Sequence, residues 1–152
     1  MPPAVVQFSF GSFGDIVTLI QITLYIKNLI AGHIDLQDAL RDLSEFLNNY
    51  ASVLLVIQSV LQSPQARTLP RAARNAIVYS IKASVKLLTE FQSKAEASMG
   101  SRSGDGGISG LAQVVLRTFW WSFRSQADFE ELQKRLRDHS SVITQMLTLC
   151  GL

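Results

Sequence analysis

Residues 36–61 read LQDALRDLSEFLNNYASVLLVIQSVL, and this stretch decides the fold class. Its large apolar residues recur at steps of three and four, so they form one stripe along one face of a helix. The stripe consists of Leu36, Leu40, Leu43, Leu47, Tyr50, Leu54, Ile57 and Leu61. The spacing predicts a helix that starts after Asp35 and runs to about Gln62. Ser63-Pro64 ends it, because proline cannot continue the helical hydrogen-bond ladder.

A preceding helix is predicted from Asp15 to Ala31, with Gly32 as its stop. Eleven of the sixteen residues from Ile16 to Ala31 are apolar, and they lie almost all round the helix instead of in one stripe. Such a helix is either enclosed at the centre of its bundle or meets a hydrophobic surface elsewhere. The sequence leaves both interpretations open. The run is too short and too polar to span a membrane alone.

The second half of the chain continues the helical pattern. Pro70 suits the first turn of a third helix that runs toward Met99. The segment 100–110, GSRSGDGGISG, has five glycines and three serines and predicts a flexible loop. A short helix from about Leu111 to Phe123 is predicted to follow. Ser125 would then cap a last helix, with Asp128 in the place of a capping-box acid.

No stretch alternates with period two for long enough to form a strand. We therefore predict an all-α fold, an antiparallel bundle of four long helices plus one short helix. At 152 residues the chain suits a single domain, 1–152. The stripes predict a core that includes Leu43, Leu47, Leu54, Ile81, Leu88, Leu132, Leu136 and Met146.

The residue types that carry chemistry are scarce. One cysteine, Cys150, excludes an intramolecular disulfide, and the two histidines, His33 and His139, lie far apart in the sequence. Asp138, His139 and Ser140 are adjacent on one helix and point in different directions, so they cannot form a hydrolytic triad. No nucleotide-binding loop, calcium loop or metal-ligand spacing is present. The sequence predicts no enzyme, no cofactor and no metal.

The formal net charge of +2 hides an asymmetry. Residues 1–63 carry a net charge of −3, whereas residues 64–125 carry +6. The basic section, which includes Arg67, Arg71 and Arg74, can attract phosphate or an anionic membrane, or it can be a solvated helix face. No recognition motif for specific nucleic-acid binding occurs. Trp120 and Trp121 are adjacent, so on a helix they face different ways: one is expected inside, and the other at least partly outside, where it either stays at the surface or contacts a partner or membrane.

Two ends of the chain carry a family resemblance. Residues 10–16, FGSFGDI, resemble the start of a fungal N-terminal helical domain. Residues 128–132 resemble the acidic-aromatic helix start of that family, and residues 139–147 resemble its H-x-S-S-I-N-x-L-L ending. The middle, 33–99, is similar in helical pattern only. The chain departs from the family in Trp120-Trp121 and in a shortened, less charged start of its second helix.

More distantly, the arrangement is similar to the HeLo-like bundles of fungal NLR/STAND-type and amyloid-signalling proteins. The resemblance implies the N-terminal domain of a longer protein, found ahead of ubiquitin-like or NLR/STAND-type segments. A cytoplasmic location is expected from the residues themselves, because the start lacks the basic residues of a secretory signal and the chain has a single thiol. It implies a non-enzymatic role in fungal immunity or programmed cell death, in which the domain self-associates or docks onto a protein.

Two functions are therefore expected as alternatives. One is a signalling domain that mediates protein–protein interaction or oligomerisation. The other is a pore-forming effector, recruited to the plasma membrane, whose apolar first helix leaves the bundle and associates with anionic lipid. The candidate contact residues for either function are Phe8, Phe10, Phe13, Ile16, Ile20, Leu24, Arg67, Arg71, Arg74, Trp120 and Trp121.

Overall fold

The segments with apolar residues at helical spacing are helices in the computed structural model. The model describes residues 13–31, 38–100 and 107–152. For Ala39 and residues 97–100 and 107–126 it describes the backbone alone. The helices are α1 (Asp15–Ala31), α2 (Asp38–Leu61), α3 (Arg71–Gly100) and α4 (Gly107–Leu149), with a short 3-10 helix at Pro64–Thr68. These ranges contain no strand, so the predicted all-α fold is confirmed.

The first helix has the predicted bounds, Asp15–Ala31. A turn at Phe13 and Gly14 precedes it, and the carbonyl oxygens of these two residues accept hydrogen bonds from the amides of Ile16 and Val17 at 2.9 and 3.1 Å. Asp15 places a carboxylate in the first turn, where the positive end of the helix dipole stabilises it.

The corner between α2 and α3 is built around two prolines. The Ser63 amide and hydroxyl both donate to the Val60 carbonyl, at 3.0 and 2.6 Å, and Pro64 then opens the 3-10 helix. α3 begins at Arg71, and the Pro70 carbonyl accepts from the Arg74 amide at 2.9 Å. Pro70 therefore precedes the first helical residue, where its missing N–H leaves no bond unmade.

The last helix corrects the sequence prediction. Gly107–Leu149 is one continuous helix, so the short fifth helix does not exist as a separate element. Ser125 was expected to be a cap, but no glycine or proline lies near it, and a serine inside a helix does not by itself end the hydrogen-bond ladder. The expected loop at 100–110 is also too long, since Gly100 and Gly107–Gly110 are helical. Its central residues, 101–106, lie outside the described ranges.

Contacts between side chains give the helix directions on the α3–α4 side. Tyr79 packs edge-on against His139, with ring centroids 6.2 Å apart, and Phe91 packs in the same way against Phe129 at 5.7 Å. Later residues of α3 thus meet earlier residues of α4, so the two helices run in opposite directions.

The α1–α2 pair shows the same relation. Phe13 lines a cavity with Leu61, and Lys27 borders a surface depression with Glu45. The two helices are therefore antiparallel, and α1 also packs on α3, while α4 packs on both α2 and α3.

The core lies where the four stripes meet. Seven of the eight predicted core residues are buried, and Met146 is half-buried against the cluster. Each helix contributes residues without solvent exposure: Leu19, Ile26 and Ile30 from α1, Leu40, Leu43, Leu47 and Leu54 from α2, Ile77, Ile81 and Leu88 from α3, and Leu136 from α4.

Candidate interaction surface

The C-terminal half of α2 exposes apolar side chains without any charge among them. From Phe46 to Ala66 the sequence contains no Asp, Glu, Lys or Arg. Because the stripe through Leu47, Leu54 and Leu61 is turned inward, seven positions between Asn48 and Ser59 face solvent, and Val60 is half-buried at their end. They form two adjacent rows at steps of three and four: Asn48, Ser52, Leu55 and Ser59, and then Asn49, Val53, Val56 and Val60. Leu55 is 51% exposed and Val56 is 64% exposed.

The outer side of α1 extends this surface. Val17, Gln21, Leu24 and Asn28 follow one another at steps of three and four, and all four are exposed. α1 packs on α2, and Lys27, the neighbour of Asn28, shares a surface depression with Asn48 and Asn49 of the exposed α2 rows. The interpretation of α1 as a helix enclosed on every side is therefore wrong, because one side of it remains open to solvent.

We call the exposed residues of 17–28 and 48–59 the neutral face. Each of its side chains is uncharged: Val17, Thr18, Gln21, Leu24, Tyr25, Asn28, Asn48, Asn49, Ser52, Val53, Leu55, Val56 and Ser59. Soluble protein surfaces usually intersperse charges of both signs among such residues. Charges lie at its borders: half-buried Lys27 and exposed Glu45 line a depression with Asn48 and Asn49 on one side, and Glu96 contacts Tyr25 on the other. A neutral, partly apolar face of this kind suits contact with another protein.

One hydrogen bond attaches α1 to α3 at the far edge of the neutral face. The Tyr25 hydroxyl donates to Glu96 Oε2 at 2.5 Å. This bond raises the pKa of the Tyr25 phenol and lowers the pKa of the Glu96 carboxyl, because it favours the protonated phenol and the ionised carboxylate. Both side chains are exposed, so the bond positions α1 but contributes little to its stability.

The sequence-predicted contact residues separate into three groups. Phe13, Ile16 and Ile20 are buried in the core, so they can meet a partner only if α1 leaves the bundle. Leu24 is exposed within the neutral face. Phe8 and Phe10 lie outside the described residues, as do the side chains of Trp120 and Trp121 on α4.

The three predicted arginines lie together near the start of α3. Arg67 and Arg71 are exposed, whereas Arg74 is half-buried with its guanidinium 5.3 Å from the centroid of the Phe13 ring. This corner is separate from the neutral face.

A cavity of about 160 Å³ lies between α3 and α4. Phe91, Phe129 and Leu132 form its apolar wall, and charged side chains such as Lys94 and Arg135 surround it. It is well below the roughly 300–1,000 Å³ of pockets that hold organic cofactors or drug-sized ligands.

Polar groups lie at two separate places in the described interior, beside Tyr50 and beside His139. Burial raises the pKa of Tyr50 to about 12, and the neighbouring Ser84 hydroxyl opposes that rise. Ser84 Oγ has no hydrogen-bond partner of ordinary geometry within the described ranges. On the α3–α4 side, burial lowers the pKa of His139, and the nearby Asp138 acts in the opposite sense. Among the described residues, no three His, Cys, Asp or Glu side chains converge as metal ligands.

The neutral face was not predicted, although part of its signal is in the sequence. The uncharged run from Phe46 to Ala66 is visible there, but its meaning depends on which side of α2 is covered. In the parts of the chain that the structure describes, no helix combines the length and the apolar character needed to cross a bilayer.

Comparisons with family models, with curated proteins and with solved structures give no match for this chain. The likeness to fungal HeLo-like domains therefore stays a prediction from the motifs near the two ends of the sequence. The function proposed below is therefore argued from the exposed surface of α1 and α2.

Proposed function

We propose that this chain is a non-enzymatic interaction domain that associates with further copies of itself through the neutral face. The observation that supports the proposal is the lack of charge on every exposed side chain of 17–28 and 48–59, together with exposed Leu55 and Val56. Burying uncharged side chains avoids the desolvation penalty that a charged surface would incur.

A second copy is the favoured partner because of charge. In a two-fold contact the same patch meets itself, so each charged residue near the axis would face a like charge. The neutral face brings no such repulsion, whereas the exposed sides of α3 and α4 are densely charged. Val53 and Val56 lie on one row of α2, so two copies of this helix can pack those rows against each other.

The membrane-acting alternative requires α1 to leave the bundle. Its Ile16, Leu19, Ile20, Ile26 and Ile30 side chains are buried, and each is worth roughly 1.5–3 kcal/mol of stability. Their sum is comparable to the whole stability of a typical domain, about 5–15 kcal/mol. Release of α1 would therefore unfold the bundle unless lipid compensated for the loss. Self-association through a surface that is already exposed needs no such change.

The biological setting rests on the resemblance alone. We place the domain in a fungal immunity or cell-death protein on the basis of the FGSFGDI start and the similar ending. In that setting, self-association of this domain would bring together the parent chains.

A charge placed on the neutral face tests the proposal. We expect Val56→Arg to shift the protein toward monomer in sedimentation velocity, because two copies would bring like charges together. Gln145→Arg is the matched control, since Gln145 is an exposed, uncharged residue on α4. The association of the unmodified chain should weaken little between low and high salt, because neither surface is charged.

Two outcomes would overturn the proposal. If the chain is monomeric at all accessible concentrations, or if both variants associate like the parent, the neutral face is not a self-association surface. Leakage of anionic vesicles by the monomeric chain would instead support the membrane-acting alternative.

A further inference from the structure

A second feature lies at the corner between α2, the 3-10 helix and α3, away from the neutral face. A cavity of about 60 Å³ opens there. Phe13 and Ala66 contribute apolar surface to it, and Gln62, Ser63, Arg67 and Arg74 contribute polar atoms. Two arginines, Arg67 and Arg74, thus border one small cavity.

No carboxylate among the described residues forms an ion pair with these arginines. The ion pairs within the described residues join Arg41 to Asp38, Lys134 to Asp138 and Arg135 to Glu131. None includes Arg67, Arg71 or Arg74. Asp15, the acidic residue of α1 nearest to Phe13 in the chain, forms no ion pair with them either. Within the part of the chain that the structure describes, the corner therefore carries positive charge without an ion-pair partner.

Arg74 is held in place by the fold. Its guanidinium lies over the Phe13 ring at 5.3 Å, and Nη2 lies 3.5 Å from the carbonyl oxygens of Ala66 and Arg67. Those hydrogen bonds are long, and a guanidinium has five N–H donors, so most of its donor capacity stays available. An arginine that is already positioned loses less conformational entropy when it binds an anion.

The start of α3 adds to the positive potential. Its first turn contains Arg71 and no acidic residue. The amides of a first helical turn have no helical acceptor, and the helix dipole is positive at this end. The dipole therefore increases the attraction that the arginines exert on an anion.

We propose that this corner binds a phosphate group, with Arg67 and Arg74 as its charged donors and Arg71 as a nearby positive charge. Gln62 and Ser63 also border the cavity, and the Ser63 hydroxyl already donates to the Val60 carbonyl. The volume is far below the roughly 300–1,000 Å³ of pockets that enclose a drug-sized ligand, so the corner would contact a phosphate group and leave the rest of a larger molecule outside. Arginine is suited to this ligand, because its planar fork matches the oxygens of a phosphate.

A titration with inorganic pyrophosphate, followed by ¹⁵N NMR of the full chain, tests the proposal. We expect saturable shifts in the amides of residues 62–74, and no comparable shifts with sodium chloride at matched ionic strength. Arg67→Gln and Arg74→Gln should each weaken the apparent affinity by about tenfold, as expected for a lost charge-assisted hydrogen bond.

Arg137→Gln is the matched control. Arg137 is exposed on α4, and its guanidinium lies over the Phe46 ring at 5.7 Å, so the substitution removes the same type of contact elsewhere. It should leave pyrophosphate affinity unchanged. If Arg74→Gln proves unstable, Arg67→Gln still decides the question, because Arg67 is exposed. Non-saturable shifts, or equal affinity in Arg67→Gln and the parent, would overturn the proposal.

Vesicle sedimentation distinguishes the two sources of phosphate. Binding to phosphatidylcholine vesicles that contain phosphatidic acid, lost in Arg67→Gln and blocked by pyrophosphate, would identify a lipid headgroup. Binding of pyrophosphate in solution without retention on those vesicles would identify a soluble phosphate compound. Failure of both would refute the phosphate site and leave the self-association proposal untouched.

Discussion

The outer surfaces of α1–α2 and α3–α4 enclose one core but differ sharply in charge. Every exposed residue of 17–28 and 48–59 is neutral, whereas six of the eleven exposed residues between 71 and 96 are charged. On α4, seven of the thirteen exposed residues between 127 and 149 are charged. Folding requires only the inward stripe of each helix, so the outward positions can differ between the two sides. The charged side chains of α3–α4 favour solubility, and the uncharged side chains of α1–α2 fit the proposed contact with a second copy.

The largest expected effect concerns two adjacent leucines of α2. Leu54 is fully buried and Leu55 is 51% exposed. Leu54→Ala should lower the free energy of unfolding by about 2–5 kcal/mol, because it leaves a cavity in the core. Leu55→Ala should change it by no more than about 0.5 kcal/mol. Urea denaturation at low protein concentration measures both values.

Leu136→Ala on α4 should cost about as much as Leu54→Ala, since both side chains belong to the same core. A large loss in Leu55→Ala as well would show that the neutral face is already covered in solution at that concentration.

A smaller effect is expected in alkali on the α1–α2 side. Burial raises the pKa of Tyr50 from 10.0 to about 12, so the folded state holds this proton after the unfolded state has lost it. The stability that this proton confers is complete below pH 10 and is lost as the pH rises toward 12. The loss is about 3 kcal/mol, because each pKa unit corresponds to roughly 1.4 kcal/mol.

Denaturation of the parent and of Tyr50→Phe across this range isolates the contribution of Tyr50, since other ionisations are common to both. Parallel curves for the two proteins would show that the Tyr50 hydroxyl reaches solvent.

The smallest effect is expected in acid on the α3–α4 side. Burial against α3, where Tyr79 packs on the ring, lowers the pKa of His139. The unfolded state therefore binds a proton more readily, and stability falls as the pH drops through about 6.5. The fall should be modest, because His139 is only partly buried and Asp138 opposes the shift. In His139→Gln the free energy of unfolding should change less with pH between about pH 7.5 and 5.5 than in the parent. An NMR titration that gave His139 a pKa above its usual value would contradict this account.

The sequence by itself determined the helices and their inward sides. Steps of three and four placed Leu43, Leu47 and Leu54 in the core, and Asp15 set the start of α1. These features are local, since periodicity, prolines and glycines act within a few turns. The predicted helix start at Ser125 was wrong, because a cap-like pattern within a sequence of high helix propensity does not interrupt the helix.

Only the tertiary structure decided which outward residues stay exposed and which of them lie next to each other. The outward side chains in the uncharged run of α2 are exposed because α1 and α4 cover one side of that helix and leave the other side open to solvent. The proposed phosphate-binding corner forms only because Phe13 and Arg74 meet at one end of the bundle, although they are 61 positions apart in the sequence. Such relations depend on how helices pack against one another, and helical periodicity within a segment carries no information about its neighbours.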